Sequence, residues 1–149
     1  MRGLALSICL TLLAACGGEG RSYYPEDEIR AWVDRGEAAA EAKDRGDLLD
    51  MISPDYADAR GNSHEDISKI LRIYFFRQNA IALLTNIDSI AMMDDTAAMV
   101  DVTVGMAGTN NGALGLSADA YRFEFELEKP DDEWVLIGAR WGQLGGNLR

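Results

Sequence analysis

The residues able to do chemistry are few: one histidine, two cysteines and a scatter of acids in 149 residues. His64 is the first candidate for acid–base work, because imidazole changes charge near neutral pH. It follows Ser63, a natural helix cap, and a helix N-terminus disfavours positive charge, so an ordinary first-turn surface residue is the competing reading. A zinc or copper centre needs several His or Cys ligands, which this chain does not offer; neither a metal nor a cofactor is expected. The stretch DYADARGNSHED invites calcium, but counting from Asp55 puts Ala57 and Ala59 where oxygen ligands belong and Arg60 where glycine belongs. Ser53, Ser63, Ser68, Ser89 and Ser117 show no nucleophile elbow. The glycines of TNNGALGLS lack the lysine of a phosphate loop. No catalytic residue is assigned.

Carboxylates and aromatics remain. Asp101 alternates with Val100 and Val102, which puts it on a wet face while the valines face a core. A bulge shifts such parity by one, and LLTNIDSIAMM breaks strict alternation near Ser89, so Asp55, Asp88 and Asp101 are the suspects for a cavity base. Tyr56, Tyr74, Tyr121 and Trp141 are the candidates to line a pocket and offer polar tips to a ligand; the same spacing suits plain core packing. Arg140 can meet an anionic ligand or the acids Glu124 and Glu126 of a neighbouring strand, with the ion pair preferred.

These side chains are positioned by helices first and strands afterwards. Pro25, at a first-turn position, is followed by Glu26, Asp27 and Glu28, and then by Ile29, Trp32, Val33, Gly36 and Ala40 on one face. This helix is predicted to end near Gly46, with Asp47 capping a short second helix that Ser53-Pro54 stops. A loop with a stub of strand around Tyr56 leads to a capping box, Ser63 with Asp66. Ile67, Ile70, Leu71, Tyr74 and Phe75 then mark an amphipathic helix. Beyond Gln78 the period becomes two. Four strands are predicted: 82–93, one around Val100, Val102 and Val104, one carrying Tyr121, Phe123, Phe125 and Leu127, and 133–144. Turns fall at Asp94-Asp95 and Pro130-Asp131-Asp132, and GMAGTNNGALGLS makes a longer connection. On the fourth strand both parities are apolar, so it is central or its outer face is covered. The fold class is α+β: N-terminal helices on a curled antiparallel sheet of four or more strands, cone-like, because long strands must twist and enclose a concave apolar space.

Arg2 and the apolar run from Gly3 to Leu12 have the form of a secretory signal. Leu13-Ala14-Ala15-Cys16 resembles the bacterial lipobox. The resemblance implies cleavage between Ala15 and Cys16, two or three acyl chains on Cys16, and, since Gly17 follows, an outer-membrane site facing the periplasm. One domain results: residues 1–15 signal, 16–24 lipidated terminus and tether, 25–149 the folded part. Cys9 leaves with the signal, so no internal disulfide can form and the core alone must hold the domain. Loss of Arg2 leaves 13 basic residues against 25 acidic ones, a net charge of −12. Nucleic acid is excluded as a partner, and the covalent lipid rather than a basic patch must hold the chain to its membrane.

The phrases GDLLDMISPDYADARG, DDTAAMVDVTV and EWVLIGARWG, with the order of elements over residues 25–144, resemble the nuclear transport factor 2-like superfamily, which includes SnoaL-like proteins and ketosteroid isomerases. The resemblance implies a cone that catalyses, binds a small molecule or serves as an assembly scaffold, with homodimers common. Its steroid isomerases use an inward Asp with Tyr and acidic partners, roles that no residues here match. The expectation is an envelope lipoprotein binding a small apolar ligand or an envelope protein without catalysis. An isomerase or cyclase using a cavity carboxylate and a structural subunit of an envelope assembly are the alternatives.

Overall fold

The first helix begins at Pro25, whose fixed φ and missing N–H suit a first turn. The computed structural model describes residues 24–110 and 116–149, so the signal segment, Cys16 and the tether lie outside the described residues. Helix α1 spans Pro25–Glu41, with Glu26, Asp27 and Glu28 complementing its N-terminal dipole. Its inward stripe buries Ile29, Trp32, Val33 and Ala39.

The first helix stops before Gly46. Lys43 takes a left-handed conformation at φ 55°, and Asp44, not Asp47, caps the next helix by accepting from the Asp47 N–H at 3.1 Å. The short carboxylate four positions upstream of Leu48 satisfies the orphan donor first, so α2 runs Arg45–Asp50. Lys43 Nζ in turn donates to the carbonyl of Gln78 at 2.9 Å, at the end of the third helix. That helix, α3, spans His64–Arg77 and carries the expected capping box between Ser63 and Asp66.

Four strands follow: β1 Gln78–Met92, β2 Ala97–Asn110, β3 Leu116–Glu128 and β4 Val135–Gln143, paired antiparallel in the order β1-β2-β3-β4. Much of the glycine-rich run expected as a connection is strand instead. Its small residues pair across the hairpin, Gly105 with Ala120 and Ala107 with Ala118. The register places Val100 between Ile90 and Phe125, and Val102 between Ile87 and Phe123. This is the concave face; its Val100, Val102 and Leu127, with Ile29 of α1, are the large side chains buried most deeply. A bulge between Ile87 and Ser89 sits where the alternation of β1 falters, and a second lies beside Glu126. Bulges of this kind bend and twist long strands into a curled sheet.

Strand β4 ends the sheet but is not bare. Residues 51–59 run beside it, with the N–H groups of Ser53, Ala57 and Ala59 donating to the carbonyls of Leu136, Ile137 and Ala139. Arg149 pairs with Trp141 farther along. The bulge explains why both parities of β4 read as apolar: Leu136 and Ala139, three apart, are both in the core. On the other edge, the side chain of Glu41 accepts from the Leu83 N–H at 2.8 Å and that of Glu37 from the Thr85 N–H at 3.1 Å.

Candidate ligand site in the cone

The concave side of β3 presents Tyr121, Phe123 and Phe125 in succession. Phe123 lies 5.3 Å from Phe125 between ring centroids and stacks on Trp141 of β4 at 6.1 Å. Tyr121 meets both Phe123 and Trp141 at 6.3 Å, and Trp32 of α1 closes the narrow end with an edge contact to Phe125 at 5.8 Å. Offset and edge-on contacts at these separations are favourable beyond the area they bury. The valines opposite are fully buried, yet Tyr121, Phe123, Phe125 and Trp141 are each only half-buried. A concave wall of rings is therefore left with apolar surface uncovered.

Trp141 is fixed from behind by the loop that failed as a calcium site. Asp58, 7% exposed, accepts from the backbone N–H groups of Arg60 and Asn62 at 2.9 and 2.8 Å and from Asn62 Nδ2 at 2.7 Å. The Trp141 side chain donates to it as well. Burial alone raises the carboxyl, but the hydrogen bonds from Asn62, Arg60 and Trp141 outweigh it and hold Asp58 below its ordinary range. With its lone pairs so occupied, Asp58 serves as an anchor rather than a proton acceptor. Gly61, at φ 82°, makes the turn that returns Asn62 to Asp58. Arg60 then lays its guanidinium 3.4 Å over the Trp141 ring and donates to the Trp141 carbonyl at 3.0 Å.

The four aromatic candidates divide. Trp141 and Tyr121 are part of the wall. Tyr74, half-buried on α3, faces the wet end of it: partial burial raises its hydroxyl, and the nearby Tyr121 and Asp119 push it further the same way. Tyr56 sits in the hydrophobic core, where burial, and then the charge of Asp58, push its hydroxyl well upward. None of the three suspected acids reaches the wall. Asp55 is exposed in a turn. Asp88, at the β1 bulge, accepts from Asn86 and from Thr103 on the convex face. Asp101 pairs there with Ser89 and Arg122, so its outward orientation is as expected. Arg140 forms the expected ion pair with Glu124.

The acid nearest the wall is Asp119, exposed at its outer end, which shares the inward parity of Tyr121 on β3 and is the one carboxylate on the concave parity among the described strand residues. Extending the alternation of Tyr121, Phe123 and Phe125 two residues back would have found it. The Asp58 clamp had a fainter signal, an Asp followed by Gly and Asn three and four positions on. His64 sits at the start of α3, half-buried, its Nε2 3.4 Å from the Leu49 carbonyl. Among the described residues, no three His, Cys, Asp or Glu side chains converge as a metal site would need.

No protein-family model matches the sequence, and no curated protein matches it either. The fold does have solved counterparts. A putative scytalone dehydratase from Novosphingobium aromaticivorans superposes with a TM-score of 0.73 at 13% identity, covering 79% of this chain and 83% of the other. A type 2 hexachlorocyclohexane dehydrochlorinase, LinA, gives 0.69 at 11% identity, with 83% and 86% covered. An NTF-2-like protein of unknown function from Shewanella oneidensis gives 0.63 at 18%, with 78% and 97% covered. Helices packed on a curled four-stranded antiparallel sheet are the nuclear transport factor 2-like cone, and at these identities the likeness is one of fold alone.

Proposed function

We propose that this chain is an envelope lipoprotein, lipidated at Cys16, whose cone binds a small apolar molecule with an aromatic or flat face. The half-buried wall of Tyr121, Phe123, Phe125 and Trp141 carries this reading, because rings held rigid by a clamp behind them still keep apolar surface to cover. Concave, mostly apolar surfaces with a few polar groups at one end are the usual form of a small-molecule site. Tyr74, Tyr121 and Asp119 supply those polar groups. A scaffold subunit would instead fill its cone with its own side chains. The test is native mass spectrometry of the protein taken from its own host's envelope. A discrete extra mass that leaves on denaturation, and that is lost in Trp141→Ala, is expected. A bare mass in both forms would reject the ligand reading.

The placement of Asp119 beside two phenols favours a second reading, an enzyme that moves a proton at the mouth of the cone. The dehydratase and dehydrochlorinase among the solved counterparts add weight to it, since both names describe eliminations. Turnover of the bound molecule that is abolished by Asp119→Asn, with binding retained, would establish this reading in place of the first.

A further inference from the structure

Helix α3 leaves large apolar side chains in water: Ile70 is 46% exposed, Ile73 49% and Phe76 88%. Exposed Lys69, Arg72 and Arg77 interleave with them. From Ile67 to Ile87 the chain has 21 residues without a single acid, in a protein of net charge −11. Lys69 is paired with Glu65 and Asp66, in the first turn of the helix. Apolar and cationic residues on one face of a helix are the pattern that lies at a lipid interface.

We infer that the outer face of α3 rests on the anionic surface of the membrane that carries the Cys16 lipid, which fixes the orientation of the domain. The inference rests on the lipid anchor proposed above. From Cys16 to Tyr24 the tether extends at most about 28 Å, less than the roughly 35 Å width expected for a domain of this size. The domain therefore stays within about 28 Å of the bilayer, where a face with affinity for lipid can settle on it. Net charge would push the domain away, so the face that settles is the apolar one where Arg72 and Arg77 stand beside Ile73 and Phe76 and where Lys69 holds the two first-turn acids, Glu65 and Asp66. Helix α1 spans about 25 Å, and Lys43, just past its end, holds the carbonyl of Gln78 at the end of α3. With the outer face of α3 on the bilayer, Arg122, which pairs with Asp101 on the convex sheet face, is the comparison site. A second copy is a poorer occupant, because a two-fold contact on this face would bring both copies of Arg72 and Arg77, four cations, into one interface.

The test uses the full lipidated chain in vesicles of phosphatidylethanolamine and phosphatidylglycerol. A fluorophore is attached through Ile73→Cys on α3 or through Arg122→Cys on the convex face, and quenched by lipids spin-labelled at the headgroup. Strong quenching at position 73 and little at position 122 is expected. Each cation at such a surface is worth roughly a factor of five, so Arg72→Glu with Arg77→Glu lowers the ratio of settled to lifted domain by about twenty-five-fold or more. Equal quenching at the two positions overturns the orientation, as does shielding of position 73 that vanishes when the protein is diluted in the bilayer. Mass spectrometry of the same sample reads the acyl mass on Cys16 separately. A chain lacking that mass overturns the anchor and the orientation together; a chain carrying it with equal quenching overturns the orientation alone.

Discussion

Helix α1 buries Ile29, Trp32, Val33 and Ala39, while α3, of similar length and equally clear period, buries none of its residues. The difference lies in what each helix meets. Acids of α1 reach both ends of the β3–β4 connection and the strand β1. Glu28 takes the Lys129 ammonium at 2.8 Å and the Trp134 indole N–H at 3.0 Å, while Glu37 and Glu41 take backbone donors of β1. Helix α3 is capped by its own Ser63–Asp66 box and held at its far end by Lys43, and Ile67 is its apolar side chain packed on the core. Apolar periodicity thus reports which face of a helix turns inward, but not how much of that face is covered. In this molecule one helix supplies stability and the other supplies surface.

The largest effect that would sharpen this contrast is Ile29→Ala, which empties a fully buried site and is expected to cost about 2–5 kcal/mol in urea unfolding. A value near that of a surface change would mean that α1 is not the stabilising helix. Next is Asp58→Asn, which sets an amide against the Asn62 and Trp141 donors and should cost about 1–3 kcal/mol at neutral pH. Because the folded value of Asp58 lies below its ordinary one, its contribution is present above the usual carboxylate range and is lost as pH falls through the folded value. The unfolding midpoint of the wild type should therefore fall on acidification below about pH 4, and that of the variant should fall less. Ser63→Ala removes the helix cap and should cost about 1 kcal/mol, read by the same unfolding. The smallest change is Ile73→Ala on the exposed face of α3, expected within about 0.5 kcal/mol of wild type. A loss there comparable with Ile29→Ala would show that α3 is buried in solution and would erase the contrast.

Much of the fold was legible, because it rests on local rules. The capping box, the alternation of β3 and the break near Ser89 each have a short-range cause, and each lies where expected. The end of α1 was misplaced because Asp44 and Asp47 are both good caps, and only the left-handed turn at Lys43 decides between them. The site was legible in part. Tyr121 and Trp141 come together because neighbouring antiparallel strands bring them there. Tyr56 goes to the core through tertiary packing, and Asp58, though its turn to Asn62 is local, becomes a clamp on Trp141 through a contact eighty-three positions away that no local pattern encodes. Asp119 was missed because its neighbours are small and the alternation looked finished at Tyr121.

The treatment of the sheet edges has a consequence for solubility. An uncovered outer strand is a template on which another chain can continue the ladder, and such growth ends in fibres or amorphous aggregates. At one side of this sheet two carboxylates of α1 occupy outward N–H groups of β1; at the other, residues 51–59 and Arg149 take up β4. Each molecule terminates its own polymerisation. Wherever many copies meet at high local concentration, as they would on the membrane proposed above, that self-termination separates a dispersed population from an insoluble film.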